Sequence, residues 1–172
     1  MLYELTLAFV ISLLTNVASQ PPEADKLYAP KDAEFEIRFP TKPNIAEKPR
    51  LSRTIVVASV QRKSVEEFGY VCQWFLREKA FDSTEAEIIY LKGHQTRSVA
   101  ASKGKLLQER RVTLKGIKGR EFAVEVSDNN VFRCRVFVAG KRVIHVQVWG
   151  TDLKSLDSKE VSAFFDSLKI TK

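Results

Sequence analysis

The sequence predicts an α+β domain, an antiparallel β-sheet meander packed against a long central helix and a short C-terminal helix. Three observations predict it. First, three segments between Gly119 and Gly150 alternate apolar and polar residues with period two. They are separated by Ser127-Asp128-Asn129-Asn130 and by Ala139-Gly140-Lys141, which describes a meander with one buried and one wet face. Second, residues 84–101 recur at helical spacing, and a shorter helical pattern lies near the C-terminus. Third, runs of strands precede and follow the long helix, an order that suits an antiparallel sheet better than alternating βα units.

In chain order, residues 20–33 read as a linker or an ordered lead-in. Phe35, Ile37 and Phe39 alternate with Glu36 and Arg38 and make a short strand that Pro40 ends. Pro43 and Pro49 bracket an expected loop. Thr54 to Val60 is a β-branched run and Phe68 to Leu76 an aromatic-rich one, both strands. Thr84 followed by Glu87 is a capping-box signal. Ala86, Ile89, Gly93, Thr96 and Ala100 then mark the expected buried helix face, small enough in side chain to lie close to a sheet. Lys105 to Leu114 is another strand. Meander strands follow near 119–126, 131–138 and 142–149. Asp157 and Glu160 form a second helix start, and Val161, Phe164, Phe165 and Leu168 give that helix an aromatic inward face.

Within the meander, Phe132, Cys134, Val136 and Val138 are expected to share a core face with Ile144, Val146 and Val148. A three-residue loop, Ala139-Gly140-Lys141, would place Val136 opposite Ile144. Pairing Val124 with Cys134 and Phe122 with Val136 then sets Glu125 opposite Arg133 and Ala123 opposite Arg135. The outer face would carry Glu125, Arg133 and Gln147 in one row and Ala123, Arg135 and His145 in the next, with Trp149 and Phe137 beside them. Two readings follow. Arg133, Arg135, His145 and Trp149 form an anion- or sugar-binding surface with the indole as a stacking plate, or Glu125 partners Arg133 across the strands and a helix or solvent covers the rest.

The length of 172 residues suits one domain, here residues 34–172, and 44% hydrophobic with 28% charged residues is ordinary for a soluble globule. Residues 1–19 stand apart. Leu5 to Leu14 is a ten-residue uncharged apolar stretch, too short to span a bilayer and suited to the central region of a secretory signal. Val17-Ala18-Ser19 supplies small residues for cleavage before Gln20, although the first four residues hold no Lys or Arg. An uncleaved anchor or a buried helix are the alternatives. Cleavage would leave no transmembrane span and an exported, periplasmic or extracellular chain. It would remove one acid, Glu4, and no base, so the formal charge of +7 would become +8.

Chemistry-bearing motifs are scarce. The sequence has two histidines, His94 and His145, and two cysteines, Cys72 and Cys134. There is no CxxC, HExxH, GxSxG or P-loop pattern, and no metal-ligand spacing, so neither a metal nor a cofactor is expected. In an exported chain Cys72 and Cys134 could form a disulfide; alternatively both are buried free thiols. A Cys72–His145 nucleophile pair is disfavoured, because the apolar setting Tyr70-Val71-Cys72-Gln73-Trp74 raises a thiol pKa. Carboxylates are scattered and form no acid/base pair motif.

Residues 103–120 are the most basic region. Lys115, Lys118 and Arg120 flank the glycines of Gly116-Ile117-Lys118-Gly119, which read as a hairpin, and Lys103, Lys105, Arg110 and Arg111 lie nearby. This stretch is the first choice for an anionic ligand, with the arginine strand second; a solvated loop is the competing reading.

The layout resembles the PsbP/Mog-type α/β sandwich fold and a group of small exported bacterial proteins of unknown function. The resemblance rests on Phe35-Glu36-Ile37-Arg38-Phe39-Pro40, on Gly116 to Phe122, on Arg133 to Val138 and on Phe164 to Leu168, and it spans about residues 34–170. Proteins of this fold include an extrinsic subunit of the photosynthetic oxygen-evolving complex and a Ran-binding import factor. The resemblance implies docking onto partners without catalytic residues, and it carries over no functional residue. The expected function is therefore a non-enzymatic exported domain that binds a protein partner or scaffolds an envelope assembly. The alternative is binding of an anionic polymer or lipid headgroup through the basic surface, nucleic acid being disfavoured because the bases are scattered.

Overall fold

The computed structural model describes residues 25–50, 53–61, 64 and 67–171. The expected signal segment, residues 1–19, lies outside them. The strands are β1 (Lys26–Tyr28), β2 (Phe35–Phe39), β3 (Asn44–Arg50), β4 (Arg53–Val60), β5 (Gly69–Leu76), β6 (Lys105–Leu114), β7 (Ile117–Ser127), β8 (Asn130–Ala139), β9 (Arg142–Gly150) and β10 (Lys169–Ile170). The helices are α1 (Thr84–Ser102) and α2 (Lys159–Asp166). A seven-stranded antiparallel sheet runs β3-β4-β5-β9-β8-β7-β6, and a second sheet of three strands runs β1-β2-β10. The α+β architecture and the meander β7–β8–β9 agree with the sequence.

Both faces of the large sheet are covered, which corrects the expectation of one wet face. On one side Phe122, Val124, Phe132, Cys134, Val136, Val138 and Val143 pack with Leu91 of α1. On the other, Ile144, Val146, Val148, Cys72 and Trp74 pack with α2 through Val161, Phe164 and Phe165 and with the small sheet through Phe35 and Ile37. The residues predicted to face inward near the C-terminus, Val161, Phe164 and Phe165 of α2 and Leu168 just beyond it, are all buried. Tyr70 adds a polar tie, its hydroxyl donating to Glu160 of that helix.

The meander register differs from the expected one, and the turn explains it. Ala139 pairs with Arg142, so the turn is the two residues Gly140 and Lys141, with Gly140 at φ 60°. A positive φ at the first central position alone is the II′ hairpin geometry that glycine permits. Phe137 therefore faces Ile144, and Val136 faces His145. Shifting a strand pair by one residue exchanges its faces. In the preceding hairpin Val124 pairs with Phe132 and Phe122 with Cys134, two residues from the expected register. Glu121 stands opposite Arg135 in place of the expected Ala123, and Ala123 stands opposite Arg133 in place of the expected Glu125.

Other boundaries differ for local reasons. Lys26–Tyr28, inside the segment read as a linker or lead-in, pairs with β2. The stretch between Pro43 and Pro49 is β3; it is an edge strand, where a missing proline N–H costs no ladder bond. Ser83, one residue before the expected cap, caps α1 by accepting from Ala86 N at 3.1 Å. Ser158, one residue after Asp157, does the same for α2 from Val161 N at 3.3 Å. The inner face of α1 is Ile88, Leu91, Gln95 and Val99, whereas Ile89 of the expected face is 65% exposed. Cys72 and Cys134 are free, buried thiols. They belong to the cores on opposite sides of the sheet, so the disulfide is excluded.

Candidate functional site

Arg133 and Arg135 do not join His145 and Trp149. The two arginines face α2, and the two aromatic residues face α1, because the shorter turn rotates β9 by one position relative to β8. Arg133 donates from Nη1 to the Leu156 carbonyl at 2.8 Å and from Nη2 to Asp157 Oδ1 at 2.6 Å. Arg135 donates from Nε to Glu121 Oε2 at 2.5 Å and from Nη1 to Asp166 Oδ1 at 3.1 Å. Its guanidinium also lies 4.6 Å from the Phe165 ring centre. Glu121 accepts a second arginine, Arg110, at 2.7 Å. This network anchors the C-terminal segment to the sheet. Trp149 is half-buried against Phe132, with ring centres 4.8 Å apart. The anion- or sugar-binding surface expected from these four residues is not assembled.

The histidines meet beneath α1. The His94 and His145 rings are 5.1 Å apart, edge to face. Gln73, opposite His145 on β5, hydrogen-bonds its Nδ1, and Ser98 Oγ lies 3.4 Å from His94 Nδ1. Burial lowers His94 to a pKa of about 4, with Arg97 adding to the effect. Burial first, then His94, lowers His145 to about 3. Both rings are therefore neutral at neutral pH. His145 Nε2 is buried without a hydrogen-bond partner among the described residues. Cys72 projects from the other face of the sheet, and burial pushes its thiol pKa up, so a Cys72–His145 nucleophile pair has no geometry. Among the described residues no three His, Cys, Asp or Glu side chains group as a metal site.

The basic region divides by strand geometry. Lys103 takes the left-handed position that ends α1, at φ 52°, and its N–H bonds Ala100 O at 3.1 Å. Lys115 and Gly116 form the β6–β7 turn at φ 48° and 83°, the I′ geometry. Lys105 opens β6, and Arg110 turns toward α2 and Glu121. Arg111, Lys118 and Arg120 come together on the α1 side. There Arg120 Nη2 donates to Glu109 Oε2 at 2.5 Å, its Nε donates to Gln95, and Gln95 Nε2 donates to Glu109 at 2.5 Å. The hydrogen bonds from Gln95 and then Arg120 hold Glu109 below the usual carboxylate range.

Helix α1 packs over β7 and β8 and leaves β6 at the rim. A cleft of about 180 Å³ opens between them, lined by Ile88 and Leu91 of α1 and by Arg111, Val112, Thr113, Lys118, Gly119 and Arg120 of the hairpin. Among the described residues the side chains of Arg111 and Lys118 have no hydrogen bond or ion pair. The bases of this cleft are legible in the sequence, whereas Ile88, Leu91, Gln95 and Glu109 are not. The spacing of Ile88, Leu91 and Gln95 was the available signal, and its mixed polarity hid it.

No family model and no curated protein sequence matches this chain. The solution structure of cyanobacterial PsbP (CyanoP) from Synechocystis sp. PCC 6803 is similar to it, with a TM-score of 0.60. The match has 11% identity and covers 92% of this chain and 99% of that one. The chain therefore has a PsbP-like fold. Among the described residues no helix is long and apolar enough to cross a membrane.

Proposed function

We propose that this chain is a non-enzymatic, exported domain that docks a protein partner through the β6–β7 hairpin and the cleft beside α1, the partner presenting carboxylate. One contrast carries the reading. On the large sheet Arg110 and Arg135 are matched by Glu121, Arg120 by Glu109, Arg133 by Asp157 and Arg142 by Glu34, while Arg53 lies over the Phe75 ring. Arg111 and Lys118 have no such match, and they sit beside apolar side chains rather than on a flat polar surface. Unpaired cations next to apolar surface suit an interface that supplies the missing charge. The partner-docking members of the resembled fold support the same reading, and the N-terminal apolar segment supports export.

The test is site-specific photo-crosslinking in the native host, with the reactive group at Thr113 and, as a control, at Lys48 on the opposite sheet edge. The expected result is a discrete adduct from Thr113 only, lost when Arg111→Glu and Lys118→Glu are combined. Equal adducts from both positions, or indifference to charge reversal, would overturn docking at this surface. A second reading has one observation in its favour: Lys103, Lys105 and Lys115 also lack acid partners, which widens the basic band toward an anionic polymer or headgroup. Binding of that kind weakens steeply with salt.

A further inference from the structure

The cleft beside α1 has two chemically distinct sides. Leu91 is 4% exposed, and with Ile88 it forms an apolar wall. Arg111, Thr113 and Lys118 line the hairpin side, while Arg120 is occupied by Gln95 and Glu109. The free space of about 180 Å³ is small. A dry cavity of about 150 Å³ holds a benzene-sized molecule, so this cleft holds one compact apolar group and little more. The ligand it fits carries a carboxylate and an apolar group within the span of one residue. The last residue of a polypeptide meets that description, because its carboxylate and side chain share one Cα. An internal acidic side chain does not, since its carboxylate ends its own stem.

The neighbouring strand supplies the second requirement. β6 is an edge of the seven-stranded sheet and has no strand on its outer side among the described residues. Extended residues upstream of a terminus could leave the cleft along that edge, where main-chain groups remain available for strand addition. We infer that the cleft captures the C-terminal carboxylate of its protein partner, with an apolar last side chain against Ile88 and Leu91 and the carboxylate between Arg111 and Lys118. This rests on the docking reading and names the part of the partner that docks.

Hexapeptides ending in Leu, Val or Phe, each as the free acid and as the C-terminal amide, are titrated into the full isotope-labelled chain. Amide shifts at Ile88, Leu91, Arg111 and Gly119 locate binding. Free acids should bind there, with amides at least tenfold weaker. Combining Arg111→Gln with Lys118→Gln should also weaken the acids at least tenfold, without a change in Tm because neither side chain has a partner to lose. Lys48→Gln should leave binding unchanged. Equal affinity for acid and amide, or shifts confined to another surface, would overturn carboxylate capture. A free acid, 4-methylpentanoate, binding as tightly as the peptides would overturn the chain terminus and assign a small-molecule site. Neither result bears on the crosslinking experiment, which reads docking whether or not a terminus is involved.

Discussion

Acid should unfold this protein through His94 and His145 before its carboxylates titrate. Their pKa values of about 4 and about 3 lie below the ordinary 6.5. The unfolded chain therefore binds two protons that the folded chain refuses, and stability present above pH 6.5 is lost as pH falls toward the folded values. Between those limits the loss depends on the unfolded pKa alone. At pH 5 each histidine has lost about 1.5 pH units at 1.36 kcal/mol per unit, roughly 2 kcal/mol, so the pair costs about 4 kcal/mol relative to pH 7.5. That is a large part of the roughly 5–15 kcal/mol available to a domain. The groups facing the pair offset it only in part: a hydrogen bond with Gln147 raises His145 against the larger effect of burial, Gln73 is neutral, and Arg97 repels a second positive charge. Urea unfolding at pH 7.5, 6 and 5 should show the fall, with a slope approaching two protons. His94→Gln should reduce the slope to about one proton. A wild-type stability that is flat from pH 7.5 to 5, or an unchanged slope in the variant, would refute the reasoning.

Four further outcomes are expected. Gly104→Ala should cost about 2 kcal/mol in urea unfolding, because its Cβ would stand 2.5 Å from Val124 Cγ1 and 2.6 Å from the Glu125 carbonyl; a neutral substitution would show that the α1–β6 connection yields freely. Glu121→Gln should cost about 3 kcal/mol, since it uncouples Arg110 and Arg135 from a carboxylate whose side chain is 8% exposed. Asp166→Asn should cost under about 1 kcal/mol, since that side chain is 71% exposed; equal costs would contradict the assigned hierarchy. Cys72 and Cys134 should react with a thiol reagent only at the rate of global unfolding, measured by mass shift in native buffer, and fast native labelling would contradict their burial.

The strands were legible because alternation is local, and the site was not because it depends on how strands and helix meet. Ala139 reads as loop, yet it pairs with Arg142, and that single residue decides which face His145 and Trp149 share. Apolar patterning offered little correction. β8 and β9 are buried on both sides, with Val136 and Val138 in one core and Phe137 and Val146 in the other, so either register keeps apolar residues inside. The inner face of α1 misled for a related reason. The sheet beneath it presents Gln73, His145 and Arg120, and the helix answers with His94 and Gln95 rather than with small apolar residues. The helix face is polar where the sheet is polar. Near Ile88 and Leu91 it is apolar, yet Arg111 and Lys118 beside them receive no acid from the helix. A sheet that matches Arg110, Arg120, Arg133, Arg135 and Arg142 with carboxylates and leaves Arg111 and Lys118 unmatched beside an apolar wall has a surface that is incomplete by itself, and a partner's carboxylate is the group that would complete it.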